Sequence, residues 1–224
     1  MVRWSGDLHG RESQRFVWQS PDAISVDPLL PANAPILRAL RLPPVYAITH
    51  AAELGAAELL RRLEHALGRG LRLLQVREKE MREGELRDLA ARVIGLAHAH
   101  GASVLVNGNL QLARELGADG VHLTSAQLKE TRLRPELRLV GASCHDADEL
   151  ARAQALGADF AVLGPVAPTP THPGAAGLGW ARFAALLKDC PLPVYALGGL
   201  GPEDLETAWR HGAHGISMMR AAWS

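Results

Sequence analysis

The chain has 224 residues, 47% of them hydrophobic, with 24 Lys plus Arg against 24 Asp plus Glu. That length suits one domain with a substantial core, and the balanced charge excludes a general electrostatic attraction to nucleic acid or to an anionic membrane. Any anion must therefore be held by local groups. Cys144 and Cys190 fall in different predicted elements without metal-ligand spacing, so neither a disulfide framework nor a zinc site is expected, and a reducing cytoplasm fits. The opening stretch MVRWSGDLHGRESQRF is charged and lacks the apolar run of a signal peptide, and no later stretch is long and uncharged enough to span a bilayer. A soluble, unsecreted protein with small-molecule partners is expected; its oligomeric state stays open, a homo-oligomer included.

Residues 1–42 read as an N-terminal extension or linker. They hold Trp4 and Trp18, three prolines by Pro31, and little periodicity until 35–40, where one or two helical turns fit. Two tryptophans in so polar a segment argue against full disorder, because indole needs an apolar surface to lie on. From Pro43 the pattern becomes regular. Strands are predicted at 45–49, 71–76, 103–107, 120–123, 139–142, 160–163, 194–197 and 215–218. Helical spacing falls between them at 51–67, 83–100, 110–116, 146–156, 180–187 and 203–211.

An internal repeat supports that count. ELGADGVHL, ALGADFAVL and RHGAHGISM each set Gly-Ala between a helix and a strand, which makes Gly117, Gly157 and Gly212 helix-terminating glycines of equivalent turns. Alternating apolar strands and helices imply an α/β fold with an all-parallel sheet. Eight units close into a (β/α)8 TIM barrel over 43–224, although about 180 residues is small beside the typical ~250. A doubly wound open sheet is the alternative, but no GxGxxG follows the first strand.

Active sites of parallel barrels lie where strands end. Those positions hold Gln75, Arg77 and Lys79, then Asn107, Thr124-Ser125, Ser143 and His145. They continue with the Thr169 to His172 loop, Gly198-Gly199 and Ser217-Met218. Bare backbone amides at Gly198-Gly199 and the Ser217-Met218 turn suit a phosphate, helped by the N-terminus of a short final helix near Met219; the plainer alternative is a tight turn. Arg77 and Lys79 could hold a second anion or sit as a solvated pair with Glu78 and Glu80. Asn107 could orient a ligand ring or merely turn the chain before Gly108. His145 could exchange protons near neutral pH or cap the following helix, and Cys144 beside it is expected to point into the core. His172 lies in a Pro-rich loop able to order over a ligand.

The motifs LQVREK, VNGNLQLARELGADGVHL, GASCH, GADFAVLGPVAPTPTHPG and VYALGGL together resemble the thiamine phosphate synthase and TenI family of phosphate-binding barrels, over 43–224. The resemblance implies that Gln75, Arg77, Lys79 and Asn107 bind an aminopyrimidine diphosphate and that Thr169 and Thr171 meet the thiazole and pyrophosphate. It makes Gly198, Gly199, Ser217 and Met218 the cradle of a thiazole phosphate. The chain also departs from the synthase pattern. Asn107-Gly108 stands for Asn-Asp and Thr124-Ser125-Ala126-Gln127 for Gly-Gln-Glu-Asp, so both carboxylates that hold the synthase's magnesium are missing, and His172 replaces a lysine that helps pyrophosphate leave. A departing pyrophosphate is poorly stabilised without the metal, whereas proton transfer needs none. The expectation is therefore a TenI-like thiazole tautomerase without a cofactor, in which Ser143 and His172 help bind substrate and His145, matching the TenI histidine, is the acid/base. The alternatives are a Mg²⁺-dependent thiamine phosphate synthase and a non-catalytic thiazole phosphate-binding protein. In residues 1–42, GRESQRFVWQ followed by PLLPANAPIL resembles the last strand and tail of a MutT-like Nudix hydrolase without its acidic helix motif, as a remnant of a fused upstream domain would.

Overall fold

The computed structural model describes residues 5–6, 15, 17–21, 23–168 and 177–224, so Thr169, Thr171 and His172 lie outside the described residues, as does Trp4. The chain divides into two units, residues 1–41 and 42–224. In the first, a 3-10 turn at Pro31–Asn33 leads into α1 (Ala34–Leu40), and Arg41 Nε donates to Pro21 O at 2.9 Å. Trp18 does not find the apolar surface expected of it. It is 81% exposed, as Val17, Leu30, Ile36 and Leu40 are also exposed, because the helix buries no residue and offers nothing for an indole to cover.

In the second unit eight strands run parallel in sequence order and close on themselves: β1 (Val45–Ile48), β2 (Leu73–Val76), β3 (Ser103–Asn107), β4 (Gly120–Leu123), β5 (Leu139–Cys144), β6 (Phe160–Leu163), β7 (Val194–Leu197) and β8 (Gly215–Met218). Closure by β1 against β8, with Tyr46 opposite Ser217, removes the open-sheet alternative. Between the strands lie α2 (Ala51–Leu54), α3 (Ala56–Gly68), α4 (Glu83–Ala99), α5 (Leu110–Glu115), α6 (Ser125–Glu130), α7 (Ala147–Leu156), α8 (Gly179–Leu187) and α9 (Leu205–Arg210). The repeat has the expected cause: Gly117, Gly157 and Gly212 have φ of 65°, 78° and 84°, the left-handed turn that ends each helix.

Several boundaries differ from the sequence reading. The helix expected over 51–67 is broken at Gly55, whose φ is 78°. The strand expected to stop at 142 continues to Cys144, which carries Ser143 into the barrel wall. α6 was not anticipated, although Thr124 and Gln127 form a capping box at its start. The final helix near Met219 is a four-residue 3-10 turn, Arg220–Trp223, too short to bring a helix dipole to an anion.

Inside the barrel Tyr46, Leu73, Leu105, Phe160 and Tyr195 form one cluster, with the Tyr46 and Phe160 rings edge-on at 5.0 Å. Burying each such side chain is worth roughly 1.5–3 kcal/mol. Gly141 on β5 makes room for them, since a Cβ there would come within 2.7 Å of both His122 Nδ1 and Phe160 Cζ. Side chains alternate along a strand, so the residue two positions further on faces the same way. That step turns the apolar plug into the floor of a site.

Candidate active site

One step above the plug, each strand contributes one residue to the floor of a cavity of about 490 Å³: Ile48, Gln75, Asn107, His122, Ser143, Val162, Leu197 and Ser217. Arg77, Lys79, Thr124, Ser125, His145, Gly198, Gly199, Met218, Met219 and Arg220 stand around it. Every expected site residue within the described part of the chain thus lines this one cavity.

Gln75, Arg77 and Lys79 reach the cavity together because they alternate on one side of the chain leaving β2. Glu78, between them, is buried on the other side and accepts from Ala51 N at 2.8 Å, so it serves the start of α2 and is not a solvated partner of Arg77. Burial of the Arg77 guanidinium lowers its pKa, partly offset by Glu78. A half-buried cation of this kind attracts an anionic ligand group. Asn107 Oδ1 accepts from Gln75 Nε2 at 3.2 Å, which fixes the amide of Asn107 toward the floor.

His145 follows β5 and lies half-exposed at the rim. It does not cap the next helix; Asp146 does, accepting from Glu149 N at 2.8 Å. Instead Nδ1 of His145 lies 2.9 Å from Glu149 Oε2, which also accepts from the His145 backbone N–H at 2.8 Å. A carboxylate only accepts, so Nδ1 donates, and Nε2 is the ring nitrogen without a partner among the described residues. The other oxygen of Glu149 takes the hydroxyl of Ser125 and lies 2.9 Å from Lys129 Nζ. Burial pushes the Glu149 carboxyl up, but these donors outweigh it and hold the pKa at about 2. Cys144, whose thiol burial pushes up to about 12, stays protonated and packs in the core while touching the cavity edge.

A pH dependence follows. The Glu149 pKa is depressed from 4.5 to about 2, so its contribution to stability is present above about pH 4.5 and is lost as pH falls toward 2. The urea-midpoint gap between the parent and Glu149→Gln should shrink from pH 6 to pH 3. A constant gap would show that the carboxylate charge is not what holds this network.

The sequence reading missed His122. It is fully buried in β4, with Nδ1 3.2 Å from Tyr46 Oη and Nε2 2.9 Å from Ser143 Oγ. Burial, with Arg77 nearby, drives its pKa down to about 3, so the ring is neutral. Tyr46 Oη has no other acceptor among the described residues and must donate to Nδ1. Nε2–H then donates to Ser143, whose own proton is left for a ligand in the cavity. A polar residue inside the apolar run GVHL was the available signal.

On the β7 and β8 side, Gly198 and Gly199 have φ of 112° and 63°. A Cβ on Gly198 would meet Pro165 Cβ at 2.6 Å, and one on Gly199 would meet Pro168 O at 2.8 Å, so the turn accepts only glycine without rearrangement. The Gly199 N–H has no acceptor among the described residues. Ser217 Oγ, buried in the floor, has none either. Unpaired donors at a glycine turn fit a phosphate.

A hard divalent cation fits less well. Mg²⁺ takes carboxylates along with phosphate oxygens. Here Gly108 has no side chain, and Gln127 commits its amide to Gly108 O at 2.7 Å and Thr124 N at 3.1 Å. Among the described residues no group of three or more His, Cys, Asp or Glu could hold a metal, and no helix is long and apolar enough to cross a membrane.

Residues 45–222 match the family described as thiamine monophosphate synthase (TMP-TENI), and the chain belongs to that family. A Geobacter sulfurreducens protein that carries the name thiamine-phosphate synthase provisionally is 38% identical over 182 residues, covering 79% of this chain and 85% of its own. The thiamine-phosphate synthase of Deinococcus radiodurans is 42% identical over 175 residues, which span 74% of this chain and 62% of that protein. A thiamine phosphate pyrophosphorylase structure from Pyrococcus furiosus shares the fold, with a TM-score of 0.66 at 24% identity over 79% of this chain and 85% of that one. The thiamine biosynthesis context is thereby supported. Within it, the names of the relatives favour the synthase alternative over the tautomerase expected from the missing carboxylates.

Proposed function

We propose that the barrel binds a thiazole phosphate and moves a proton on its ring by acid/base chemistry at His145, as a thiazole tautomerase does. The observation that carries this reading is the His145–Glu149 pair, which leaves Nε2 of a half-exposed imidazole free at the cavity while its other nitrogen is fixed. The phosphate lies on the Gly198-Gly199 turn with Ser217 beneath it, and the Ser143 hydroxyl donates to an anionic ring substituent. Nε2 takes a proton from ring carbon, the bonding electrons complete the aromatic system, and the imidazolium returns the proton at a second carbon. Glu149 stabilises the charged ring between those steps.

A second reading has specific support. The relatives are named as synthases, and the Gln75, Arg77, Lys79 and Asn107 group, which a pyrimidine diphosphate would need, stands intact in the same cavity, on β2 and β3. Against it stands a donor set without the carboxylates that a magnesium-assisted departure of pyrophosphate uses. The two readings separate on one assay, condensation of hydroxymethylpyrimidine diphosphate with thiazole phosphate across a Mg²⁺ titration. Thiamine phosphate should form very slowly at every Mg²⁺ level; robust Mg²⁺-dependent formation would make the protein a synthase.

A further inference from the structure

Arg220 stands at the start of the 3-10 turn after β8, two residues beyond Met218, and lines the cavity. Of the lining residues that follow β7 and β8 it is the one cation, and Glu203 is the one anion. Arg77 and Lys79 come from β2, with β1 between them and β8. The floor beneath holds Ser217 Oγ, buried and without a partner among the described residues, and the neighbouring turn presents the Gly199 N–H. A dianion drawn to those neutral donors would have Arg220 as the cation nearest along the chain.

That guanidinium is engaged by Glu53 of α2, across the β1–β8 seam. Nε lies 2.8 and 2.9 Å from the two carboxylate oxygens, and Nη2 contacts Oε1. His50 Nε2 approaches the same carboxylate at 2.9 Å, near enough for an ion pair but outside hydrogen-bond geometry. The hydrogen bonds from Arg220, and then the nearby His50, keep Glu53 ionised with a pKa of about 2. Both partners of the pair are roughly half-exposed, and exposed ion pairs are weak. A phosphate dianion offers a guanidinium more charge and more acceptor oxygens in the same forked geometry.

We infer that Arg220 is a phosphate-binding side chain of this site and that it exchanges Glu53 for the ligand's phosphate when it binds. The inference rests on the reading of the β7–β8 turn as an anion site. Two consequences differ in sign. Losing Arg220 removes an attraction, whereas neutralising Glu53 removes a competitor for the same guanidinium.

The test is calorimetry on the full chain with thiazole phosphate and, separately, with inorganic phosphate. Arg220→Gln should weaken binding about tenfold, the scale of one hydrogen bond to a charged group. Glu53→Gln should tighten it severalfold, and the double variant should bind like Arg220→Gln alone. Unchanged affinity in Arg220→Gln, or weakening by Glu53→Gln in step with it, would overturn the inference, because both outcomes describe a pair that only holds two loops together. If Arg220→Gln failed to fold, the sign of the Glu53→Gln effect would decide alone. Inorganic phosphate binding with these signs but no thiazole phosphate binding would keep the Arg220 site and sink the ligand reading. Binding of neither anion by the parent would sink both.

Discussion

His145→Ala should lose about 10²-fold or more in turnover of the thiazole tautomer, the scale on which a general acid/base acts. The imidazole is held by a buried carboxylate through Nδ1, and alanine leaves nothing at position 145 able to take and return a proton. Thiazole phosphate affinity should hardly change, since the proposed phosphate cradle is built on β7 and β8 and not on His145. Full turnover in His145→Ala would make the imidazole structural and would move attention to His172, outside the described residues. Glu149→Gln, by contrast, keeps the ring and should lower turnover less while shifting its pH profile, because a neutral amide stabilises the imidazolium poorly.

Gly199→Asp should weaken thiazole phosphate binding by about two orders of magnitude, the scale of a like-charge contact. Two effects add. Aspartate tolerates the left-handed φ of 63° better than most residues, but its Cβ would meet Pro168 O at 2.8 Å, so the turn must shift. Its carboxylate then faces an anion where an amide N–H is expected to donate. Gly199→Asn carries the same shape without the charge and separates the two: it should lose affinity through the shift alone, and less of it. Parent-like affinity in both variants would remove the phosphate from this turn.

The alternation of apolar strands and helices was legible because the barrel buries its strands on both faces, and the Gly-Ala repeat was legible because each helix must end in a left-handed turn. The site residues that sit at strand ends could be read by position: Gln75, Asn107, Ser143 and Ser217 all reached the cavity floor, and Arg77 and Lys79 its wall. What could not be read was partnership. In the sequence Glu149 is one acidic residue among several at a helix start, and only the fold shows that its carboxylate faces back to His145. His122 sits inside a strand, where an imidazole is more often a satisfied core group than a ligand contact, and its role depends on Tyr46, 76 residues away. Arg220 was hidden because residues near Met219 were read as the start of a helix, when the turn there brings a side chain and not a dipole. The subfamily is the hardest case, since the missing carboxylates and the retained pyrimidine-side residues point to different reactions on one scaffold.

Proton transfer at His145 is tested most directly by proton NMR of the purified chain with the non-aromatic carboxythiazole phosphate tautomer in D₂O. Aromatisation is expected well above the uncatalysed rate, without added Mg²⁺, with deuterium at the carbon that receives the proton from His145. Aromatisation at the background rate, with thiazole phosphate bound and intact, would contradict it.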